Sequence, residues 1–288
     1  MSTGRLAGKI AIVTGAARGL GAAIAKRYAK EGATVVVADI KEELGRQICA
    51  EIGGSASFRK VDVGDFDQVR TLIDGVVADH GRLDILVNNA AINRGGLITK
   101  MPLEVWDRVI HTNLTSVFYA CRAALPHMEA QGSGAIINIS SIGGIAGDRH
   151  AAAYNAAKAG VLNLTRSLGV EYIAQNIRIN AICPGSFVTD MNPGMAYPFV
   201  VEPWLKWIPA GRFGQPDELT GVAVLLASDD ASFIAGAAFV VDGGINAGGG
   251  APNWTELSDQ VRALRAAGSA EPAITKVGDR PATGEETP

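Results

Sequence analysis

"TGAARGLG", residues 14–21, lies directly between a β-branched run, "KIAIVT" (9–14), and a helical segment, "GAAIAKRYAKEG" (21–32). Glycines 15, 19 and 21 permit a tight strand-to-helix turn and a close approach of the backbone to a ligand. The first N–H groups and the dipole of the following helix favour an anionic group at that point. A glycine-rich loop alone is a weak signal, equally a plain turn into a capped helix. Between strand and helix it reads as the opening of a βαβ unit that cradles a pyrophosphate. The next run, "TVVVAD" (34–39), is apolar on consecutive positions, as in a parallel strand covered on both faces. It ends on Asp39, at the spacing from which a carboxylate accepts hydrogen bonds from an adenosine ribose.

Outward from this unit the rhythm continues. "DILVNN" (84–89), "GAIINIS" (134–140) and "IRINAI" (177–182) alternate with longer helical patterns. The expectation is an α/β fold, a single-domain doubly wound parallel sheet with helices on both faces (Rossmann-type), with ligands beyond the carboxyl ends of the strands. No repeat or linker interrupts the chain before about residue 249. The domain is therefore drawn as 1–249, with a substrate lid at 186–214. In the tail, 250–288, "NWTELSDQVRALRAAG" is patterned for one amphipathic helix, and the last twenty residues have the Pro, Gly, Thr and charge content of disorder.

Composition excludes several function classes. With 48% hydrophobic residues among 288 and a formal net charge of −3, the chain buries a large core and has no general bias toward nucleic acid or anionic membranes. No apolar run approaches the roughly 18 to 20 residues of a membrane span, and "MSTGRLAGKIAIVTG" has no signal-peptide core. A soluble, cytoplasmic protein is expected, with no nucleic-acid or membrane partner. Cys49, Cys121 and Cys183 lie far apart without paired or ligand spacing, so they read as reduced packing residues, and no metal site is expected. Asp39 also bears on which dinucleotide binds, because a carboxylate pairs with ribose hydroxyls and repels a 2′-phosphate. NAD is favoured over NADP. Arg18 pulls the other way if its guanidinium meets that phosphate, and is neutral if it is a solvated loop charge.

The glycines are set as T-G-x-x-x-G-x-G. Together with Asp62-Val63, Asn88-Asn89-Ala90, Asn113, "INISS" (137–141), Tyr154-x-x-x-Lys158 and "PGSFVT" (184–189), the chain resembles the compact single-domain branch of the short-chain dehydrogenase/reductase superfamily, over about residues 6–246. One departure is "NNAA", where the family usually has N-N-A-G; Ala91 implies slightly altered backbone geometry beside the cofactor. The resemblance implies a catalytic set of Asn113, Ser141, Tyr154 and Lys158. Ser141 would hydrogen-bond the substrate oxygen, Ser140 would be a strand-end packing or capping residue, and Asn113 would support a water beside Lys158 in a proton relay. It also implies cofactor contacts from Gly15, Arg18, Gly19, Leu20 and Gly21 in the loop, from Asp39 and Ile40, and from Asp62 and Val63 around adenine. Asn89 and Ala90 would line the wall behind the cofactor. Tyr154, Lys158, Pro184, Gly185, Val188 and Thr189 would surround the nicotinamide end, with Thr189 on the carboxamide.

"YNAAK" (154–158) gains its meaning here. Tyrosine and lysine both titrate near pH 10 in model peptides, but at i and i+4 they share a helix face. An ammonium beside the phenol favours phenolate. Bringing that pKa from about 10 to about 7 takes roughly 4 kcal/mol of differential stabilisation, a task the lysine shares with a positively charged nicotinamide. A tyrosine so tuned takes the proton of an alcohol as hydride leaves, or returns it in the reverse direction.

The expected activity is thus NAD-dependent hydride transfer between nicotinamide and a secondary alcohol or ketone. Oxidation is the expected direction, since cellular NAD pools favour it. An NADP-dependent carbonyl reductase and a noncatalytic NAD-binding protein are the alternatives; the complete Ser141, Tyr154, Lys158 set argues against the latter. A sugar epimerase or dehydratase would have a longer substrate domain and different glycine spacing, and a hydrolase is unsupported because Ser141 lacks a G-x-S-x-G elbow. The segment 190–214 concentrates Met191, Met195, Tyr197, Phe199, Trp204 and Trp207 in a chain only 6% aromatic. Either the small-molecule substrate is hydrophobic or cyclic, or these side chains pack the lid. Arg94, Arg149 and His150 are either a carboxylate clamp at the pocket mouth or solvated loop residues. Relatives pair through helices like those around 113–125 and 154–172, with a second contact near 216–242, so a homo-oligomer, a tetramer, is expected.

Overall fold

The computed structural model describes residues 4–191 and 198–248, and beyond them Asp259, Arg262, Ala263 and Ala266. The chain divides into Met1–Ala247 and Gly248–Pro288. In the second unit the four described positions are helical, and Arg262 pairs with Asp259 at 3.3 Å, one turn away. The rest of the expected tail, Met195, Tyr197 and the Phe199 side chain lie outside the described residues.

Seven parallel strands form one sheet in the order β3-β2-β1-β4-β5-β6-β7. They are β1 (Ile10–Thr14), β2 (Thr34–Asp39), β3 (Ala56–Lys60), β4 (Ile85–Asn88), β5 (Gly134–Ile139), β6 (Ile177–Pro184) and β7 (Ala238–Val241). The helices are α1 (Gly19–Lys30), α2 (Glu42–Ile52), α3 (Phe66–His80), α4 (Leu103–Ile110), α5 (Ser116–Gln131), α6 (Ala152–Tyr172), α7 (Pro198–Leu205) and α8 (Pro216–Ala227). This is the expected doubly wound fold. The five inner strands are the five apolar runs of the sequence. β3, "ASFRK", and β7 sit at the two edges, where one side lacks a neighbour, and they are partly exposed and less apolar.

Successive strand residues face opposite layers. From β1, Ala11 and Val13 pack with Ile24 and Tyr28 of α1 and with Leu219 and Val224 of α8. Ile10 and Ile12 pack on the other face with Leu72 and Ile73 of α3, Met128 of α5 and Val161 of α6. Each such fully buried large aliphatic side chain contributes about 1.5–3 kcal/mol of transfer free energy. The polar groups inside are all partnered: the Tyr28 hydroxyl donates to Ala223 O at 2.9 Å, tying α1 to α8. A buried ladder crosses from sheet to helix. Asn88 Nδ2 donates to Asn138 Oδ1 (2.9 Å), Asn138 Nδ2 to Thr165 Oγ1 (2.9 Å), and Thr165 Oγ1 to Val161 O (2.7 Å).

The strand order reverses between β1 and β4. The loops leaving these two strands run in opposite directions and leave a crevice at the carboxyl end of the sheet, where ligands of such folds bind. The glycine loop follows β1, and Asn89-Ala90 follows β4.

Candidate active site

One hydroxyl joins the two loops that open the crevice. Thr14 Oγ1, buried at the end of β1, donates to Val87 O (3.1 Å) and accepts from the N–H groups of Asn89 (3.0 Å) and Ala90 (3.2 Å). The Asn89 amide returns the tie, donating to Thr14 O and Gly15 O at 3.0 Å each. The loop is closed around space that only glycine leaves. Gly15 has φ 63° and Gly19 φ 56°, the left-handed region. A Cβ at Gly21 would lie 2.4 Å from Gly15 O and 2.5 Å from Asn89 Nδ2. Gly21→Ala is therefore expected to push the loop off its position, a strain of about 1–3 kcal/mol, and to weaken dinucleotide binding by roughly 10- to 100-fold. Fluorescence titration beside a circular-dichroism check of folding measures this; unchanged affinity would mean that the loop is not the cradle.

Asp39 ends β2 with its carboxylate on the same loop: Oδ2 accepts from Ala17 N (3.0 Å) and Oδ1 from Lys41 N (2.9 Å). Each oxygen keeps a further lone pair for an incoming hydroxyl. Ile40 beside it is 58% exposed, an apolar side chain at a polar rim. Beyond β3, Asp62 Oδ1 accepts from its own turn at Gly64 N (2.9 Å), and Val63 is half-buried. Leu20 packs back against the core. At the end of β6, Pro184 is buried, Gly185 rests on Asp242, Val188 N donates to Gly214 O (2.9 Å), and Thr189 faces Gly19. The expected cofactor residues thus lie on the loops after β1, β2, β3, β4 and β6, all at the carboxyl end of one parallel sheet. Ala91 does not distort its surroundings, since among the described residues only His150 and Asn176 are non-glycines at positive φ. Arg18 is not free at the rim: its Nη1 lies 3.2 Å from Asp190 Oδ2.

The candidate catalytic groups gather around the end of β5 and the first turns of α6. Lys158 is 2% exposed. Its Nζ donates to Ile139 O at 2.8 Å and stands 5.7 Å from the centroid of the Tyr154 ring. Ser140, as expected of a capping residue, donates from Oγ to Lys158 O at 2.9 Å, so consecutive residues of the β5 exit hold both the head and the backbone of the lysine. Ser141 starts a short turn, and its Oγ accepts from Gly143 N (3.1 Å). That leaves the hydroxyl hydrogen for an outside acceptor. Asn113 is wholly buried in a widened π-turn, His111–Thr115, between α4 and α5. Its amide is fully committed to Ile92, accepting from the N–H and donating to the carbonyl at 2.8 Å each. The water-supporting role implied for it does not fall to the side chain.

Electrostatics correct one expectation. Lys158 does not by itself draw the Tyr154 phenol down: burial pushes that phenol up, the Ser141 hydroxyl opposes this, and the Asp148 charge adds to it. Burial also brings the Lys158 ammonium down to about 8. Both members of the pair are held toward their neutral forms, so a further positive charge is needed to favour phenolate.

The structure does not converge Arg94, Arg149 and His150 on this pair. All three are exposed; Arg94 Nη1 donates to Asn93 O, and the His150 carbonyl accepts from Gly96 N. Trp204 (44% exposed) and Trp207 (67%) are open to solvent. The cysteines are free, Cys121 and Cys183 being buried, with the Cys183 thiol pushed up to about 11 by burial. Among the described residues there is no cluster of three His, Cys, Asp or Glu able to hold a metal, and no helix is long and apolar enough to cross a membrane. Thr14 was not anticipated as the hub of the crevice, although a hydroxyl closing an otherwise apolar strand was its signal.

A family model described as enoyl-(acyl carrier protein) reductase matches residues 15–246. The 3-oxoacyl-[acyl-carrier-protein] reductase FabG of Chlamydia muridarum is 42% identical over 244 residues, 83% of this chain and 98% of the relative. A cis-4-hydroxycyclohexanecarboxylate dehydrogenase of Sinomonas cyclohexanicum is 42% identical over 243 residues, 83% of this chain and 97% of the relative. Among solved structures, a short-chain type dehydrogenase/reductase from Mycobacterium marinum superposes with a TM-score of 0.80 at 37% identity, covering 83% of this chain and 96% of the other.

Proposed function

Since this chain belongs to the short-chain dehydrogenase/reductase superfamily of oxidoreductases acting on CH–OH groups, we propose that it is an NAD-dependent dehydrogenase of hydrophobic or cyclic secondary alcohols, reversible toward the ketone, with Tyr154 as general acid/base. The observation that carries this reading is the grouping of the Tyr154 ring, the Lys158 ammonium 5.7 Å from it, and the Ser141 hydroxyl on the β5 turn.

A dinucleotide fits the crevice because the Gly15 and Gly21 cradle would be filled by any Cβ, and because Asp39 offers spare lone pairs at the far end. Gly15, Gly19, Leu20 and Gly21 would hold the pyrophosphate, Asp39 and Ile40 the adenosine ribose, Asp62 and Val63 the adenine, and Asn89, Ala90, Pro184, Gly185, Val188 and Thr189 the nicotinamide half. Bound there, the nicotinamide supplies or accepts the hydride. The protein's part is positional and electrostatic. Ser141 donates to the substrate oxygen. Tyr154 exchanges the proton at that oxygen. Lys158, fixed by Ile139 O and Ser140, holds a positive charge beside the phenol. The main chain of the widened turn at Asn113 supports the water that continues the relay.

The substrate class is supported by the solvent-facing Trp204 and Trp207 and by Val188 and Met191, half-exposed on the approach to the site. The name of the cyclohexanecarboxylate dehydrogenase relative points the same way. The reductive direction has one observation behind it, the 3-oxoacyl reductase name of another relative. Exposed Phe118, Val170 and Phe233 on and beside the pairing helices are consistent with a homo-oligomer, in our reading a cytoplasmic tetramer.

The experiment is a fluorescence titration of NADH and NADPH on wild type and Asp39→Ala. The wild type is expected to bind NADH at least about tenfold more tightly. The substitution, which removes a charged acceptor for ribose hydroxyls worth about 1.5–3 kcal/mol, should erase that preference. A wild type that prefers NADPH would turn the substrate search to carbonyl reduction.

A further inference from the structure

Arg18 caps the start of α1 from extended backbone, and no side-chain cap bond holds it there. Its neighbour Ala17 donates to Asp39, so the guanidinium begins next to the carboxylate expected at the ribose. It nevertheless turns away from Asp39. Its partner is Asp190, 172 residues on, with Nη1 and Oδ2 3.2 Å apart. The two segments are in register for this: a Cβ on Gly19 would touch the Thr189 methyl at 3.5 Å. The pair therefore bridges the glycine loop and the segment leaving β6, across the face of the crevice.

We propose that Asp190 is a specificity-determining residue of the dinucleotide site: it holds Arg18 away from the adenosine ribose, so that no guanidinium offsets Asp39 when a 2′-phosphate approaches. This rests on the reading that a dinucleotide lies in the crevice with its ribose at Asp39. The chemistry is a competition for one cation. A 2′-phosphate recruits a planar guanidinium in bidentate fashion, and Asp190 competes for the same donors while adding its own repulsion. Ribose hydroxyls need no cation, so NAD binding is unaffected by that engagement. Both side chains are partly exposed, 45% and 70%. Such a pair is weak and screened by salt, so Asp190 tunes a preference set by Asp39 and does not create it. Lys41, the other cation near Asp39, lends its backbone N–H to that carboxylate and carries no ion pair in the described structure.

The test compares the NADPH:NADH ratio of dissociation constants in wild type, Asp190→Asn, Arg18→Ala and the double variant. Asp190→Asn is expected to move the ratio about fivefold toward NADPH at low salt, within the range of an exposed pair, and less at 0.5 M salt, about three Debye lengths of added screening beyond dilute buffer. In the Arg18→Ala background the same substitution should leave the ratio unchanged, because the effect passes through the guanidinium. A ratio within twofold of wild type for Asp190→Asn overturns the proposal. So does an equal shift with and without Arg18, which would assign the effect to Asp190's charge alone. A wild type that prefers NADPH overturns the Asp39 reading and leaves the coupling between Arg18 and Asp190 to be judged by the double variant; failure to bind either dinucleotide overturns both.

Discussion

Tyr154→Phe should lower kcat/KM for alcohol oxidation by about a thousandfold, in the middle of the range for losing a positioned general acid/base, and leave dinucleotide binding and folding nearly intact. The substitution removes one oxygen from a half-buried ring and keeps its packing. What goes is the group that exchanges a proton with the substrate oxygen, and no neighbour replaces it. Lys158 is committed to Ile139 O, Ser141 already accepts from Gly143 N, and Asn113 is spent on Ile92. Steady-state kinetics together with a cofactor titration separates the effects. A variant that keeps more than a tenth of the activity while binding cofactor normally would move proton transfer to another residue.

Lys158→Met should have effects of opposite sign on stability and on activity. In the folded chain burial holds the ammonium's pKa at about 8 against a model value of 10.5. Below about pH 8 both folded and unfolded chains carry the proton, and the folded state bears the whole penalty of a buried charge. Between 8 and 10.5 the unfolded chain binds more protons, so wild-type stability rises with pH across that window and the penalty is gone above it. A shift of this size corresponds to about 3 kcal/mol. Methionine removes it but also strips Ile139 O of its donor, a loss of about 1 kcal/mol. A net gain of about 2 kcal/mol, or roughly 4–8 °C in Tm for a domain of this size, is expected at pH 7, shrinking toward pH 10. Turnover should fall at least about a hundredfold. Thermal melts at the two pH values read the first effect, and a variant less stable at pH 7 with the wild-type pH dependence would show that the buried charge is not a liability.

What was legible in the sequence is what lies close along it. Gly15 to Gly21 sit within one strand-turn-helix, Asp39 closes the next strand, and Tyr154 and Lys158 are one turn apart, so spacing alone places them. The hub at Thr14 reaches residues more than seventy positions away, Asn113 grips Ile92 across two elements, and Arg18 finds Asp190 across most of the chain. None of these has a period or a local motif. β3 and β7 escaped the apolar-run criterion because an edge strand has less to bury. The sign of the Tyr154 shift was hidden for a different reason: spacing gives nearness to an ammonium, but burial, which depends on the whole fold, decides which form of each group survives.

The asparagine ladder bears on how the chain finds one alignment among several. Inner strands made of Ile, Val, Leu and Ala are nearly interchangeable to their neighbours, and a slip of two residues keeps every side chain on its own face. β4 sliding along β5 by that step would exchange one aliphatic contact for another at little loss. Asn88 stands directly opposite Asn138, however, and their amides bond only in that alignment. A slipped pairing would strand both amides in a dry interior at about 1–3 kcal/mol each, so the ladder acts as an index mark, and Asn138→Leu should lose fidelity of refolding before it loses compactness.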